Sequence, residues 1–380
     1  MTFTFRTAGQ VLVGPGVSAQ VPALAAQHGA RTLVVCGYHT DPGQGPLGRL
    51  ADPTVVRWSG EPTVEGVSAA VESARAAHPD VVIGWGGGSV IDLAKAVGVL
   101  LHSDRGVLDH LEVIGAGLPL PSTSVPVIAV PTTAGTGAEV TANAPVLSAE
   151  HGVKASLRSP AMLPAAAVVD PELTLSCPPD VTASSGLDAL TQCLEPLTSV
   201  KANPISDALA REGLARAAAG LRRAGADGSD LAARTDMSLA ALLSGMALAN
   251  AKLGAVHGLA APLGGMTGAA HGRLCAAVLA ATTEVNVRAL RERDPESRAL
   301  ARYAEAARIL TGDPTAGPDD AVAWLRETVS LLRVPPLGAL GLASDDHERA
   351  ADAAMAASSM AGNPVRLTRD EVLEILDHSS

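Results

Sequence analysis

Residues 81–95 read Val-Val-Ile-Gly-Trp-Gly-Gly-Gly-Ser-Val-Ile-Asp-Leu-Ala-Lys. A short apolar run meets three consecutive glycines and then apolar residues at helical spacing. A strand handed to a helix through a turn without side chains belongs to an open α/β sheet, and this junction limits the folds open to the chain more than any other feature. The pattern recurs. Residues 32–36, 127–130 and 166–169 are also apolar runs bounded by Gly, Pro or Asp, and residues 64–77 and 88–101 carry helical periodicity. Strand and helix in turn predict a mainly parallel sheet with helices on both faces.

After Asp170-Pro171-Glu172-Leu173 the character changes to Ala, Leu, Arg and Glu at helical spacing, interrupted at 226–229, 264–268 and 312–318. The chain is therefore expected to hold a Rossmann-like, dinucleotide-binding α/β domain over 1–180 and an all-helical domain over 181–380. No linker of low complexity separates them, so a small-molecule site in a cleft between domains is expected.

Composition narrows the function. The 39 acidic and 28 basic side chains give a formal net charge of −11, with no basic face evident, so nucleic acid is not an expected partner. Aromatic residues make up only 2% of the chain, which leaves Ala, Val and Leu to build the core. Cys36, Cys177, Cys193 and Cys275 form no CxxC pair, so neither a disulfide framework nor a zinc knuckle is indicated, and reduced thiols in the cytoplasm fit best. The N-terminus lacks a basic stretch followed by an apolar one. The weakly charged run 253–270 contains His257, Pro262 and several glycines, so no membrane span is expected.

Two motifs carry candidate metal chemistry. Ala255-Val256-His257-Gly258 and Ala269-Ala270-His271-Gly272 place two imidazoles fourteen residues apart, and they converge if the intervening backbone folds back. Upstream, Asp188 and Gln192 in Gly186-Leu187-Asp188-Ala189-Leu190-Thr191-Gln192 are four residues apart on one helical face. A carboxylate and two imidazoles suit a divalent metal, Fe2+ or Zn2+, and such an ion with an open position polarises an oxygen.

Two further motifs suit a nucleotide. At Gly86-Gly87-Gly88-Ser89 the backbone can approach a diphosphate closely at a helix N-terminus. The polar loop Pro131-Thr132-Thr133-Ala134-Gly135-Thr136-Gly137 again follows a strand, and Thr136 is placed to cap a helix. Together they suggest a dinucleotide site.

With these motifs in this order, ending in Ser358-Ser359-Met360-Ala361-Gly362-Asn363-Pro364, the chain resembles the iron-dependent (group III) alcohol dehydrogenase family, whose relatives include maleylacetate reductases. The resemblance implies a cofactor-binding α/β domain, a helical metal-binding domain, and reversible hydride transfer between NAD or NADP and an alcohol or aldehyde. It assigns Gly87, Gly88, Ser89 and Asp92 to the pyrophosphate region and Thr132, Thr133 and Thr136 to the cofactor cleft. Lys154 resembles a ribose-contacting lysine. Asp188, Gln192, His257 and His271 take the places of metal ligands, with Asp188, His257 and His271 also the catalytic set. A homo-oligomer, commonly a dimer, acting on a small alcohol, aldehyde or oxoacid is implied.

The chain departs from the family at three positions. Gln192 stands where members carry a histidine, and an amide oxygen is a weaker ligand than imidazole; the alternative is that Gln192 hydrogen-bonds substrate or Asp188 at a metal-free site. Ala261 replaces a histidine that relays a proton in many alcohol-oxidising members. Gly37 occupies the position of the acidic residue with which NAD-preferring relatives bind ribose hydroxyls, which admits NADP. Two other readings stay open: a maleylacetate reductase-like oxidoreductase, and a lyase resembling dehydroquinate synthase. The lyase would require more basic residues near the ligands than Lys252 and Arg273 supply.

Overall fold

A computed structural model describes residues 2–112 and 114–380. The chain divides into two compact units. The first holds Arg6–Thr133 and Gly137–Ser176; the second holds Cys177–Ser380, Ala134–Thr136 and the N-terminal segment through Phe5.

The first unit contains strands β1 (Gln10–Val13), β2 (Thr32–Gly37), β3 (Thr54–Trp58), β4 (Val81–Gly86), β5 (Val127–Pro131), β6 (Asn143–Ser148), β7 (Val153–Arg158) and β8 (Ala166–Val169). Its helices are α1 (Val21–Ala26), α2 (Val64–Ala77), α3 (Gly88–Leu100) and α4 (Val107–His110). Six strands form a parallel sheet in the order β1-β8-β5-β4-β2-β3, while β6 and β7 make a separate antiparallel pair. In β2, Leu33 and Val35 pack with Val67 and Val71 of α2 and Leu93 of α3, while Val34 and Cys36 join Val21 and Leu24 of α1 in a second core. Successive side chains of a strand point to opposite faces, so burial of both faces produces the unbroken apolar run seen in the sequence.

The sheet accounts for where a ligand can bind. β2 pairs with β3 on one side and β4 on the other, so the strand order reverses between β2 and β4. In open α/β sheets, ligands bind beyond the carboxyl ends of the strands at such a switch point. There the chain places Gly37, which ends β2, and Gly86, which ends β4.

The second unit is helical: α5 (Pro179–Thr198), α6 (Pro204–Ala226), α7 (Leu231–Asn250), α8 (Ala255–Thr267), α9 (His271–Arg293), α10 (Arg298–Thr311), α11 (Pro318–Leu331), α12 (His347–Met355) and α13 (Arg369–His378). Its core includes fully buried Leu187, Leu190, Ala210, Ala217, Leu221 and Ala240. The break expected at 264–268 falls later than predicted. α8 continues through Pro262, Gly264 and Gly265 and turns at Gly268, whose φ of 69° is left-handed. Among the described residues no single helix is long and apolar enough to cross a membrane.

Candidate active site

α5 is the rail on which the site is built. Asp188, Gln192 and Glu195 recur at i, i+4 and i+7, so they line one face of the helix, and all three are buried. Asp188 Oδ1 lies 3.4 Å from His257 Nε2 and 4.0 Å from His271 Nε2. The two imidazole rings are 5.3 Å apart between centroids. The left-handed turn at Gly268 lies between α8 and α9, and the two histidines, fourteen residues apart in the chain, come together across it.

Glycines set the approach of these helices. A Cβ on Gly272 would lie 2.8 Å from the Ser184 carbonyl oxygen and 3.6 Å from Asp188 Cβ, so glycine after His271 is what lets α9 begin against α5. A Cβ on Gly254 would sit 3.0 Å from Glu195 Oε1. The free space lets Glu195 reach the N-terminus of α8, where Oε1 accepts a hydrogen bond of 2.7 Å from the Val256 N–H.

Glu195 also orients a catalytic candidate. Its Oε2 accepts a 2.7 Å hydrogen bond from His257 Nδ1, which aims His257 Nε2 at Asp188. The sequence reading assigned no role to Glu195, although its position seven residues after Asp188 was the available signal. A second omission is Cys275, one turn after His271 on α9. Asp188, His257, His271 and Cys275 each offer a ligand atom within 4.8 Å of the others.

Gln192 has both ends of its amide engaged. Nε2 donates to Asp188 Oδ2 at 2.9 Å and Oε1 accepts from Ser244 Oγ at 3.0 Å. Two buried atoms, Asp188 Oδ1 and His257 Nε2, have no hydrogen-bond partner among the described residues. A buried carboxylate oxygen and a buried imidazole nitrogen left this way are costly, unless they face a ligand.

Electrostatics match. Burial works to raise the Asp188 carboxyl, but the close approach of His257 at 3.4 Å and the charges of both histidines outweigh it and hold the group below the usual range. Burial opposes a charged His257, yet Cys275, Glu195 and Asp188 lift it well above its ordinary value. Burial pushes the Cys275 thiol up to about 12. Ala261 is exposed on α8, and no imidazole occupies that position.

The glycine loop, Thr132, Thr133 and Lys154 lie in the α/β unit, whereas Thr136 belongs to the short segment grouped with the helical unit. Gly87 is the N-cap residue of α3. Gly86 pairs with Pro131, and the Thr132 N–H donates to the Gly86 carbonyl at 2.9 Å, so the loops after β4 and β5 leave the sheet side by side. A Cβ on Gly87 would touch Thr133 at 3.5 Å. Gly88 and Ser89 form the first turn of α3, whereas Asp92 in the next turn pairs with buried Lys95 at 2.8 Å. Lys154 on β7 pairs with Glu61 at 3.0 Å and lies close enough to Asp92 to lower that carboxyl against the larger effect of burial.

Two details of this region differ from expectation or add to it. Thr136 is exposed and is not the N-cap: the turn that follows is a three-residue 3-10 segment, Ala138–Val140, whose N-cap is left-handed Gly137. At Gly37 a Cβ would meet nothing within 4 Å, and the half-buried Arg57 of β3 donates to the carbonyls of Gly37 and Thr40. The sequence singled out Gly37 but not the arginine beneath it.

Comparison with known proteins agrees with this architecture. Residues 8–171 match the iron-containing alcohol dehydrogenase family and residues 182–380 match the C-terminal domain of Fe-containing alcohol dehydrogenases. Long-chain-alcohol dehydrogenase 1 of Geobacillus thermodenitrificans is 46% identical over 219 residues, 58% of this chain and 55% of that protein. The crystal structure of a 1,3-propanediol oxidoreductase superposes with a TM-score of 0.90 at 28% identity, covering 100% of both chains. Sulfoacetaldehyde reductase from Bifidobacterium kashiwanohense, solved in complex with NAD+, superposes at 0.86 with 27% identity over 99% of this chain and 98% of that one. The chain belongs to the iron-containing alcohol dehydrogenase family and is an oxidoreductase acting on CH–OH groups.

Proposed function

We propose that this protein interconverts small alcohols and aldehydes by nicotinamide-dependent hydride transfer at a divalent metal site made by Asp188, His257 and His271. The observation that carries the reading is the pair of buried, unpartnered atoms, Asp188 Oδ1 and His257 Nε2, 3.4 Å apart beside His271. A cation satisfies both at once. When bound, ferrous iron or zinc supplies Lewis acidity toward the substrate oxygen.

The chain's own residues prepare that site. Glu195 takes the Nδ1 proton of His257 as a hydrogen bond and leaves Nε2 to act as donor atom. Gln192 holds Asp188 Oδ2 and so turns Oδ1 inward. In the other unit, the amides of Gly87, Gly88 and Ser89 at the start of α3 suit a diphosphate. Thr132 and Thr133 lie in the adjoining loop, exposed Thr136 follows them in the chain, and Lys154 lies close to Asp92 of α3. Open space at Gly37 above the Arg57 guanidinium accommodates a 2′-phosphate, which supports use of NADP as well as NAD. Since Ala261 carries no imidazole, the chain has no histidine relay at that position, and the alcohol proton would leave through water, a cofactor hydroxyl or another side chain.

The test is turnover of an aldehyde panel with NADH and NADPH, before and after exhaustive chelation and after return of Fe2+ or Zn2+. Activity is expected to vanish with the metal and return with it. Full turnover by protein shown to contain no metal would overturn the assignment of the cluster. Gly88→Val tests the loop separately and is expected to weaken binding of both cofactors.

A further inference from the structure

We infer that Cys275 is the fourth ligand of this site, taking the coordination place left by Gln192, and that the resulting Asp-His-His-Cys set selects zinc over ferrous iron. The inference rests on the metal reading above and adds to it the identity of the fourth donor and of the ion.

Gln192 cannot readily fill that place. Its Nε2 is spent on Asp188 and its Oε1 already accepts from Ser244, so rotating the oxygen inward would break both bonds and strand buried polar atoms. Cys275 comes from a different helix. It is fully buried on α9, one turn from His271, and its Sγ lies 3.5 Å from His271 Nε2. The sulfur, both imidazole nitrogens and an Asp188 oxygen are mutually within 4.8 Å. Bond lengths of zinc to nitrogen and sulfur imply tetrahedral edges of about 3.3–3.6 Å. The separations of 3.4 and 3.5 Å already fit such edges, while that of 4.0 Å and the rest, all within 4.8 Å, contract on binding.

The donor chemistry then decides the ion. A thiolate is a soft ligand, and zinc binds such a set more tightly than ferrous iron does. Coordination forms an S–metal bond and breaks the S–H bond, and the proton goes to solvent. No electron moves.

Cobalt(II) is the direct probe, because a thiolate ligand gives an intense near-ultraviolet charge-transfer band that imidazole and carboxylate do not. The metal-stripped full-length protein loaded with one cobalt is expected to show the band, and Cys275→Ser is expected to lose it while keeping the visible ligand-field bands of bound cobalt. Calorimetry in buffers of different ionisation heat is expected to show one fewer proton released by the variant. Zinc affinity is expected to fall about a hundredfold and ferrous affinity by less than tenfold. Cobalt bound to the parent without the charge-transfer band would overturn Cys275 as ligand and leave the three-residue site standing. Failure of the folded parent to bind cobalt or zinc would overturn both readings. Because the parent spectrum is itself decisive, the inference stays testable if Cys275→Ser does not fold; Cys275→Ala then serves as second variant.

Discussion

Each unit of this protein buries a cluster of charged residues, and the two clusters differ in what they leave over. In the α/β unit, Lys95 is fully buried and its ammonium bonds to Asp92 at 2.8 Å, the Ala138 carbonyl at 2.8 Å and Thr141 Oγ1 at 3.0 Å. The Thr141 carbonyl at 3.4 Å completes the ring of acceptors around the ammonium. In the helical unit, Asp188 and His257 are equally buried, yet one atom of each lacks a hydrogen-bond partner. A closed cluster has no capacity for a ligand and contributes to the fold; an open one keeps capacity at the expense of stability. Burial of charge is therefore not what distinguishes the candidate site. Two unpartnered buried atoms of different residues 3.4 Å apart are, whereas the unpartnered oxygen of buried Asp207 belongs to a carboxylate already paired with Arg302.

The comparison breaks most readily at Lys95. Lys95→Met removes the cation from beside Asp92 and takes a donor away from the Ala138 carbonyl and from Thr141, so a loss of about 3–5 kcal/mol is expected, read from the urea midpoint. A loss below about 1 kcal/mol would show that the cluster is not the structural element described, since surface changes alone have effects of that size.

Glu139 sharpens the same point through pH. Burial raises its carboxyl from the ordinary 4.5 to about 7, against the lowering by Lys95. The folded state then holds a proton that the unfolded state has released, so this group favours folding fully below pH 4.5 and its contribution is lost as pH rises to about 7. Glu139→Gln removes that dependence, and stability at neutral pH rises by something on the order of 3 kcal/mol from the size of the shift. Unfolding curves between pH 4 and about 8 check it. An unchanged slope would mean that Glu139 titrates alike in both states.

The same contrast explains which parts could be read from sequence. β2, β4, β5 and β8 are buried on both faces and so appear as unbroken apolar runs; α2 begins at Val64 and ends at Ala77, where the helical periodicity of the sequence begins and ends. β1 and β3 escaped because they are short and only partly buried, and β6 alternates burial along a two-stranded ribbon. At the site, histidine and aspartate draw attention by residue type. Glu195 and Cys275 act through helical phase, seven residues after Asp188 and four after His271, and their proximity depends on how α5, α8 and α9 pack. Gln192 was legible as an oddity, but the partners of its amide, Ser244 among them, lie on another helix.

Asp188 tests the open cluster. In the metal-stripped protein Asp188→Asn is expected to change stability by less than about 1 kcal/mol, because the amide keeps the shape of the carboxylate and its oxygen still accepts from Gln192 Nε2. With zinc at about a hundredfold over the parent's Kd, the parent gains about 2.7 kcal/mol and the variant gains nothing. Thermal unfolding with and without zinc reads both. A metal-free Asp188→Asn protein as damaged as Lys95→Met would remove the distinction between the two clusters.

Arg57 falls between the two cases and has the smallest expected effect. One terminal nitrogen of its guanidinium is committed to the Gly37 and Thr40 carbonyls, which anchors the end of β2, while the planar fork provides further donors beside the open space at Gly37. If that space receives a 2′-phosphate, Arg57→Gln lowers kcat/KM for NADPH about tenfold, or about 1.4 kcal/mol, and leaves NADH little changed. The parent is expected to use NADPH at least comparably with NADH. A parent preference for NADH of about a hundredfold, or about 2.7 kcal/mol, would overturn this reading of Gly37. Equal losses with both cofactors would instead place Arg57 with Lys95, as a residue whose donors are spent on holding the fold.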